Sequence, residues 1–515
     1  MASDQLSRRR FLKGVTTTAL VTGAAGCSRN DREPTEAEGV STRINRVSPT
    51  DSPAPTESPT ATGTPTSTPI PEVVAEYGDR FDSIVNIVEA GADNQGSEPI
   101  NDVLTKAIAD NTLVYFPDGR YKLDYLEIKD THQFGLVSIP NTETVLVPNG
   151  PISEIGNQFI NLMWVSDVLL DGFEFDFSES DVGGALRVIA EGDIIARNLR
   201  TRGPLPDQNS EENHVAYRFE VQKPDAKGLV ERVVARDGGH DGGDGVGIFV
   251  GKDHSGSLTF RNCEVANFPN NGLYASAPGQ TLDGYTGNNG DIHVRGGRYE
   301  NNNVANVRVG STGSTVKDVT VTVDKVPPAL PGGTLNVRGI WLRERNDLLV
   351  EDCKIEFTEN AAEGFGAISY NPMHGSSTVR NTEIRVDRDD YNAIRAIDSS
   401  RGGTEAPLHF ENVTVTGTAA KGAAIEIADR PKTTFQNCRI EQLGQNRSGI
   451  LLIDSDNCVV ADSTIRVSNQ PIATRDASVD RENLTIETLS PAETTATPSV
   501  DPTITPPANQ NETTR

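Results

Sequence analysis

The sequence predicts an all-β solenoid, a parallel β-helix in which each rung of short strands stacks on the one before. A turn-and-strand motif recurs twelve times at intervals of about 25–34 residues, a period typical of solenoid proteins. A second strand precedes eleven of these motifs, and the spacing leaves almost no room for helices. Because hairpin spacing is also lacking, each rung should pair in parallel with the next and bury one continuous core.

The repeated turn carries an Asn or Asp, followed by a strand with apolar residues at alternate positions. Clear copies span residues 260–265, 350–355, 379–384, 410–415, 435–440 and 460–465. Asn and Asp tolerate the backbone angles that a sharp turn needs, and stacked Asn side chains can bond to one another. We therefore expect a ladder of turn residues along the coil.

The second strand has one central residue per rung, flanked by apolar residues in all eleven copies. The centres are Asn161, Arg187, Arg218, Phe249, Tyr274, Arg308, Trp341, Ser369, Arg395, Glu426 and Leu451. Side chains alternate between the two faces of a strand, so the centres should point outward and their neighbours inward. The inward prediction includes one buried column of Ile160, Leu186, Ile248, Ile340, Ile394, Ile425 and Ile450.

These rungs resemble the repeats of right-handed parallel β-helix proteins of the pectate-lyase-like superfamily. Residues 85–123 resemble the superfamily's opening segment, in which a strand and a short helix cap the end of the coil. Val103, Ala107 and Ile108 recur there at helical spacing. The resemblance implies a single-stranded coil of about 11–12 rungs with a short N-terminal capping helix. It implies little about activity, because this superfamily hosts many chemistries.

The first 27 residues resemble a twin-arginine export signal that ends in a lipoprotein cleavage box. Arg8 and Arg9 form the pair, and Cys27 follows three small residues. The apolar stretch between them is too short to span a bilayer. The resemblance implies export by the twin-arginine route and a lipid on Cys27 that anchors the chain to the outer face of the membrane. An uncleaved or simply cleaved leader is the alternative.

Residues 28–75 and 487–515 are rich in Thr, Ser and Pro. Such segments bury too little apolar surface to offset the entropy of ordering them. We expect a disordered stalk before the folded body and a disordered tail after it. One β-helix domain then occupies residues 76–486.

The net charge is −26, and 12 of the 47 basic residues are lysine. A dense carboxylate surface with few lysines suggests an extreme halophile, in which acidic side chains keep the protein hydrated. The Debye length is about 3 Å at 1 M salt, so long-range steering by charge is negligible there. The acidic balance argues against nucleic acid as a partner.

The cysteines are expected to be buried thiols. Cys263, Cys353 and Cys438 share one inward column, with successive members three rungs apart. Three rungs span about 14 Å, which exceeds the reach of a disulfide. Cys458 lies one rung from Cys438 but off its column.

The outward column contains a strip of arginines and aromatic residues. Its members are Arg187, Arg218, Phe249, Tyr274, Arg308, Trp341 and Arg395. Arginine matches carboxylate or sulfate with a bidentate fork, and aromatic faces stack on sugar rings. The longest connections flank this strip and could wall a groove: 203–214, 236–244, 278–290, 325–336 and 399–407. The strip is either a cleft for an anionic polysaccharide or a solvated face whose arginines pair with Asp and Glu.

A Gly-rich loop over residues 237–245 carries His240, Asp241 and Asp244. Two carboxylates and an imidazole could act as catalytic acid and base. The aspartates could instead bind Ca²⁺, and no other cofactor is indicated. The third interpretation is ordinary Asp-Gly turn chemistry. The catalytic patterns of polygalacturonases and of the best-known pectate lyases are absent from the sequence, so the resemblance transfers no mechanism.

Two functions follow from these residues. The first is an exported surface enzyme, a lyase or hydrolase that binds and processes an acidic polysaccharide. The second is a non-catalytic surface lipoprotein that binds glycan or spaces components of the cell envelope. An enzyme needs convergent acid and base groups in the groove, whereas a binding protein needs only the arginines and aromatic residues.

Overall fold

The computed structural model describes residues 76–490, except residues 157, 183, 207–214, 283–284 and 397–405. The export motif with Arg8, Arg9 and Cys27 lies outside the described residues, as do the stalk and the tail from residue 491. Parts of three predicted flanking loops, 203–214, 278–290 and 399–407, are also outside them.

The chain folds as a parallel β-helix, which confirms the prediction from the rung pattern. Three long sheets are built from parallel pairs, and a typical coil visits sheet 1, sheet 2 and sheet 3 in turn. Sheet 1 contains Ser83–Asn86, Thr112–Phe116, Phe134–Ser138, Val168–Asp171, Ile194–Arg197, Lys227–Glu231, Ser257–Arg261, Asp291–Arg295, Thr315–Lys317, Leu348–Glu351, Ser377–Arg380, Leu408–Glu411, Thr434–Gln436, Cys458–Ala461 and Val479–Glu482.

Sheet 2 contains Gln95–Pro99, Gly119–Leu123, Thr144–Pro148, Glu174–Asp176, Arg200–Arg202, Val234–Ala235, Glu264–Ala266, Arg298–Glu300, Thr320–Val323, Lys354–Phe357, Glu383–Val386, Thr414–Gly417, Arg439–Gln442, Thr464–Val467 and Thr485–Thr488. Sheet 3 contains Leu126–Lys129, Ile160–Val165, Leu186–Ala190, Val215–Val221, Val246–Phe249, Asn271–Ala275, Ala305–Val309, Val337–Leu342, Gly364–Tyr370, Ile394–Ala396, Ala423–Ala428, Ser448–Ile453 and Ile472–Arg475. A small antiparallel pair, Thr281–Leu282 with Tyr285–Thr286, completes the described strands.

Sheet 3 has the predicted register. Arg308 pairs with Tyr274 on one side and with Trp341 on the other, and the remaining centres follow the same ladder. All the flanking apolar residues are buried, including the predicted isoleucine column. Each buried aliphatic side chain contributes about 1.5–3 kcal/mol before the entropy of ordering is subtracted, so the two flanks of every rung stabilise the stack.

The turn ladder forms as expected. Asn262, Asp352 and Asn437 have φ values of 53°, 54° and 54°, the left-handed region that Asn and Asp tolerate. The side chain of Asn412 donates to Oδ1 of Asn381 at 3.0 Å, and Asn437 donates to Oδ1 of Asn412 at 2.5 Å. Successive coils are therefore linked by side chains as well as by the sheets.

Both ends of the coil extend beyond the eleven predicted rungs. The capping helix is present as Asn101–Ala107, with Leu104 buried against the first coils, and a second short helix, Ile152–Ile155, was not predicted. The final strand ends at Thr488, two residues past the predicted domain boundary.

In the described part of the chain, no helix is long and apolar enough to cross a membrane.

The four cysteines in the described part of the chain are free and buried, as predicted. Burial raises the pKa of the Cys263 and Cys353 thiols to about 12 and that of Cys438 to about 11. These thiols therefore stay protonated at neutral pH and act as small apolar side chains.

Candidate binding site on the outer face of sheet 3

Arginine and aromatic side chains form a continuous column on the outer face of sheet 3, which we name the arginine–aromatic stack. Its eight members, in spatial order, are Arg218, Phe249, Tyr274, Arg308, Trp341, Arg338, Phe365 and Arg395. From Arg218 to Arg395 the stack crosses six rung spacings. At about 4.8 Å per rung it is about 29 Å long.

Two arginines at the centre are each held between two rings. The guanidinium carbon of Arg308 lies 3.8 Å from the ring centroid of Tyr274 and 4.6 Å from that of Trp341. The corresponding distances from Arg338 are 4.0 Å to Trp341 and 4.2 Å to Phe365. Each such contact contributes about 0.5–2 kcal/mol, with the larger values at desolvated sites.

The ends of the stack are looser and more exposed. Arg218 lies 5.3 Å from the Phe249 ring, and Arg395 lies 5.6 Å from the Phe365 ring. Their side chains are 25% and 29% exposed. Arg187 pairs in register with Arg218, so it extends the accessible surface at the first end by one rung.

The centre of the stack is covered, which the alternation of side chains could not predict. Tyr274, Arg308 and Trp341 are 5%, 4% and 7% exposed. Trp341 forms a small apolar cluster with Val304 and Ala305, and Leu330 of the 325–336 loop packs against this cluster. A groove along the whole strip was expected, whereas the structure opens the stack chiefly at its two ends.

Hydrogen bonds fix the covered residues in place. Arg308 donates from Nε to the Ser276 hydroxyl at 2.8 Å, and Gln280 donates to the Tyr274 hydroxyl at 3.4 Å. Arg345 donates from Nε to the Gly279 carbonyl at 2.9 Å. The segment after the Asn271–Ala275 strand is therefore bound tightly over the stack.

Acidic neighbours lie beside the arginines at the two ends of the stack. Glu220 is fully buried and accepts from Arg218 Nε at 2.5 Å, while Arg395 lies 3.8 Å from Glu426. These two contacts match the alternative interpretation of the strip, a solvated face whose arginines pair with Asp and Glu. The stacked guanidiniums are not explained by that interpretation, because their main contacts are aromatic rings.

A buried ion pair adjoins Trp341 of the stack. Arg343 donates from Nη2 to Glu344 at 2.5 Å, and the Arg343 guanidinium lies 4.7 Å from the Trp341 ring. Burial alone would raise the pKa of Glu344, but the Arg343 charge outweighs burial and lowers it. This carboxylate therefore stays ionised and is fully engaged with its arginine.

Asp241, one of the predicted catalytic residues of the 237–245 loop, contacts the backbone of the 325–336 loop. His240 and Asp241 are exposed, and Asp244 is half-buried. The Asp241 carboxylate accepts from the Ala329 backbone N–H at 2.7 Å, and the Gly242 N–H donates to the Ala329 carbonyl at 2.9 Å. Asp241 thus joins this loop to the 325–336 loop, whose Leu330 packs against the cluster that contains Trp341.

Other contacts of this loop are also with neighbouring backbone. Asp237 accepts from the Gly203 N–H at 2.8 Å, and the Asp244 carbonyl accepts from Asn270 at 3.3 Å. Across the described residues, no group of three or more His, Cys, Asp and Glu side chains is arranged to hold a metal ion. Asp237 and Asp241 both accept hydrogen bonds from backbone N–H groups of neighbouring segments.

Sequence reasoning missed Arg338, Phe365 and Arg343. Arg338 and Phe365 lie outside the eleven strand centres, and the ladder shifts register between Val337 and Arg338. That irregularity places Arg338 over Trp341. The regular alternation of side chains between the two faces of a strand does not assign Arg338 to the outer strip. The arginines close to Trp341 in the sequence were the signal that could have indicated these contacts.

No protein-family model and no curated protein matches this chain. Similar solved structures include the Agl-KA catalytic domain, at 12% identity and a TM-score of 0.39 over 78% of this chain and 68% of that one. The A-module of the mannuronan C-5 epimerase AlgE6 from Azotobacter vinelandii is 12% identical, with a TM-score of 0.39, over 79% and 100%. PfbA, a surface adhesin of Streptococcus pneumoniae, is 12% identical, with a TM-score of 0.36, over 79% and 92%. Similarity at this level assigns no function.

Proposed function

We propose that this chain is an exported, lipid-anchored surface protein whose β-helix binds an acidic glycan without cleaving it. The arginine–aromatic stack carries this proposal. It concentrates positive charge and ring faces along about 29 Å of a protein whose net charge is −26. Guanidinium groups recognise carboxylate or sulfate, and aromatic faces recognise the apolar side of a sugar ring.

Binding would begin at the accessible ends of the stack. At one end Arg187, Arg218 and Phe249 lie on consecutive rungs of sheet 3. At the other end Arg395 projects beside Phe365. An extended acidic polymer could contact both regions, because both lie on the same outer face.

Binding without cleavage is favoured by the role of Asp241. Its carboxylate is occupied by the Ala329 N–H, so the best candidate for an acid or base serves as a loop contact. Export and anchoring rest on the sequence motif alone, with Arg8 and Arg9 as the export pair and Cys27 as the lipid attachment site.

The proposal is tested by a binding screen of the full chain against acidic and neutral polysaccharides in molar salt. We expect an acidic polymer to bind, with no new reducing ends and no absorbance from unsaturated products. The double variant Arg218→Ala/Arg395→Ala should weaken binding by about 1–3 kcal/mol per hot-spot residue. Arg380→Ala is the matched control, because Arg380 lies on sheet 1 and pairs with Glu351. Binding of the double variant equal to that of wild type would refute the proposal.

A further inference from the structure

We propose that Arg338 forms a specific subsite for a carboxylate or sulfate group. The anion would bind to the Nε and Nη2 edge of its guanidinium. This inference rests on the proposed function in one respect: it takes the anion to be a substituent of the bound glycan. Arg338 lies in the Val337–Leu342 strand of sheet 3, beside Trp341.

One edge of the Arg338 guanidinium is held by the protein. Nη1 donates to the Val304 carbonyl at 3.0 Å and to the Asn336 carbonyl at 2.9 Å, and it also contacts the Asn336 side-chain oxygen. In the described part of the chain, no residue accepts a hydrogen bond from Nε or Nη2 of Arg338. These two groups form the edge that binds carboxylate or sulfate oxygens in a bidentate manner.

The plane of this guanidinium is also fixed. Trp341 lies on it at 4.0 Å and Phe365 at 4.2 Å, and the whole residue is 6% exposed. Two stacked rings and the fixed Nη1 prevent the side chain from rotating away. Little conformational entropy would then be lost when an anion binds, which is the advantage of a preorganised site.

The charge around Arg338 favours an anion there. Burial is the main cause that lowers the pKa of Arg338 to about 9, and the nearby Arg308, Arg343 and Arg395 charges contribute to that shift. Its hydrogen-bond acceptors are uncharged oxygens, and the buried Glu344 carboxylate is engaged by Arg343. An anion at the Nε and Nη2 edge would offset this excess of positive charge.

The Arg338 subsite would be entered from the end of the stack at which Arg395 is accessible. Arg395 lies on the same Phe365 ring as Arg338, and its buried Nε makes no hydrogen bond in the described part of the chain, although Glu426 Oε1 lies 3.8 Å away. A uronate carboxylate or a sulfate ester could therefore meet Arg395 first and Arg338 behind it. A neutral sugar lacks the charge that both guanidiniums require.

The emission of Trp341 is a local reporter for this subsite. The chain has two tryptophans, and Trp164 is 44% exposed on a different strand, so the full chain with Trp164→Phe reports Trp341 alone. It is titrated with sodium glucuronate, sodium sulfate and glucose, with ionic strength held constant by sodium chloride. We expect a saturable change with the two anions and none with glucose.

Arg338→Lys keeps the charge but loses the fork. It should weaken the response by about tenfold or more, the equivalent of a hydrogen bond to a charged group. Arg380→Lys is the matched control and should respond as the parent does. A response that does not saturate, or that is unchanged in Arg338→Lys, overturns the proposal. If Arg338→Lys does not fold, equal responses to glucuronate and glucose in the parent overturn it instead.

Polysaccharide binding by the same proteins separates this inference from the proposed function. Polymer binding without any response to the small anions overturns the Arg338 subsite and leaves the proposed function standing. A saturable response to the small anions without polymer binding supports the subsite and overturns the proposed function.

Discussion

Arg308 stacks on Trp341, with 4.6 Å between the guanidinium carbon and the ring centroid, and both side chains are more than nine-tenths buried. They are neighbours in the ladder of sheet 3 and face away from the main core. The outer face of this sheet is therefore a second, smaller packed layer at its centre, and it contributes to stability as well as to recognition.

Trp341→Ala should accordingly destabilise the protein. Truncating a buried tryptophan typically costs about 3–5 kcal/mol, and Trp341 also supports three arginines. Chemical denaturation monitored by circular dichroism measures the change in the free energy of unfolding. Trp164→Ala is the matched control and should change it by less than about 1 kcal/mol, because Trp164 is 44% exposed. Equal effects of the two variants would show that the stack is not a packed layer.

The pairing of Arg308 with Trp341 could be predicted from the sequence because apolar residues flank both at the same spacing. Their burial could not be predicted, because alternation assigns a side chain to a face and says nothing of what covers that face. Leu330 packs against the cluster of Val304, Ala305 and Trp341 from an irregular loop. The conformation of such a loop has no periodic signal.

The same reasoning explains the two residues that were missed within the stack. Arg338 lies next to a register shift, and Phe365 lies beside a glycine with a φ of 136° at position 366. Both departures from regular strand geometry interrupt the period-two pattern. The two additional strands of sheet 3, Leu126–Lys129 and Ile472–Arg475, were missed for a different reason, because they are short and lie at the two ends of the clear run of repeats.

Substitutions of Asp241 distinguish a structural role of its carboxylate from a catalytic one. Asp241→Asn keeps an oxygen that can accept from the Ala329 N–H, so it should leave stability nearly unchanged. Asp241→Ala removes the acceptor and should reduce the free energy of unfolding by about 1 kcal/mol, the usual net value of one hydrogen bond. Thermal unfolding of the two variants measures this difference. If Asp241→Asn instead abolished a measured turnover of polysaccharide at normal stability, the carboxylate would be catalytic.

His374 predicts one component of acid destabilisation. The ring is fully buried, and Nδ1 lies 2.6 Å from the Arg343 carbonyl. Burial lowers the pKa of His374 from 6.5 to about 4, so the unfolded chain binds a proton more readily than the folded protein does. The stability that the neutral ring contributes is complete above pH 6.5 and is lost as the pH falls toward 4.

His374→Gln should therefore reduce the loss of stability between pH 6.5 and pH 4 by about 3 kcal/mol. Denaturation curves measured across that range give the comparison. His409→Gln is the control, because His409 is exposed, and its pH dependence should match that of wild type. A pH dependence of His374→Gln identical to that of wild type would contradict the assignment.

The export and anchoring proposal makes its own prediction. Replacing Arg8 and Arg9 by Lys should leave the protein in the cytoplasm, and Cys27→Ser should release it into the medium. Cell fractionation and immunoblotting measure both outcomes. A Cys27→Ser protein that remains in the membrane fraction would exclude the lipid on Cys27 as the anchor.

Recognition of acidic groups is tested most directly with one polysaccharide in two chemical forms. An acidic polysaccharide that binds the protein is compared with the same polymer after its carboxyl groups have been reduced to alcohols, by calorimetric titration in molar salt. The arginine–aromatic stack predicts binding of the acidic form and a loss of about 1.5–3 kcal/mol or more on reduction, the value of a hydrogen bond to a charged group. Equal affinity for both forms would contradict recognition through the arginines.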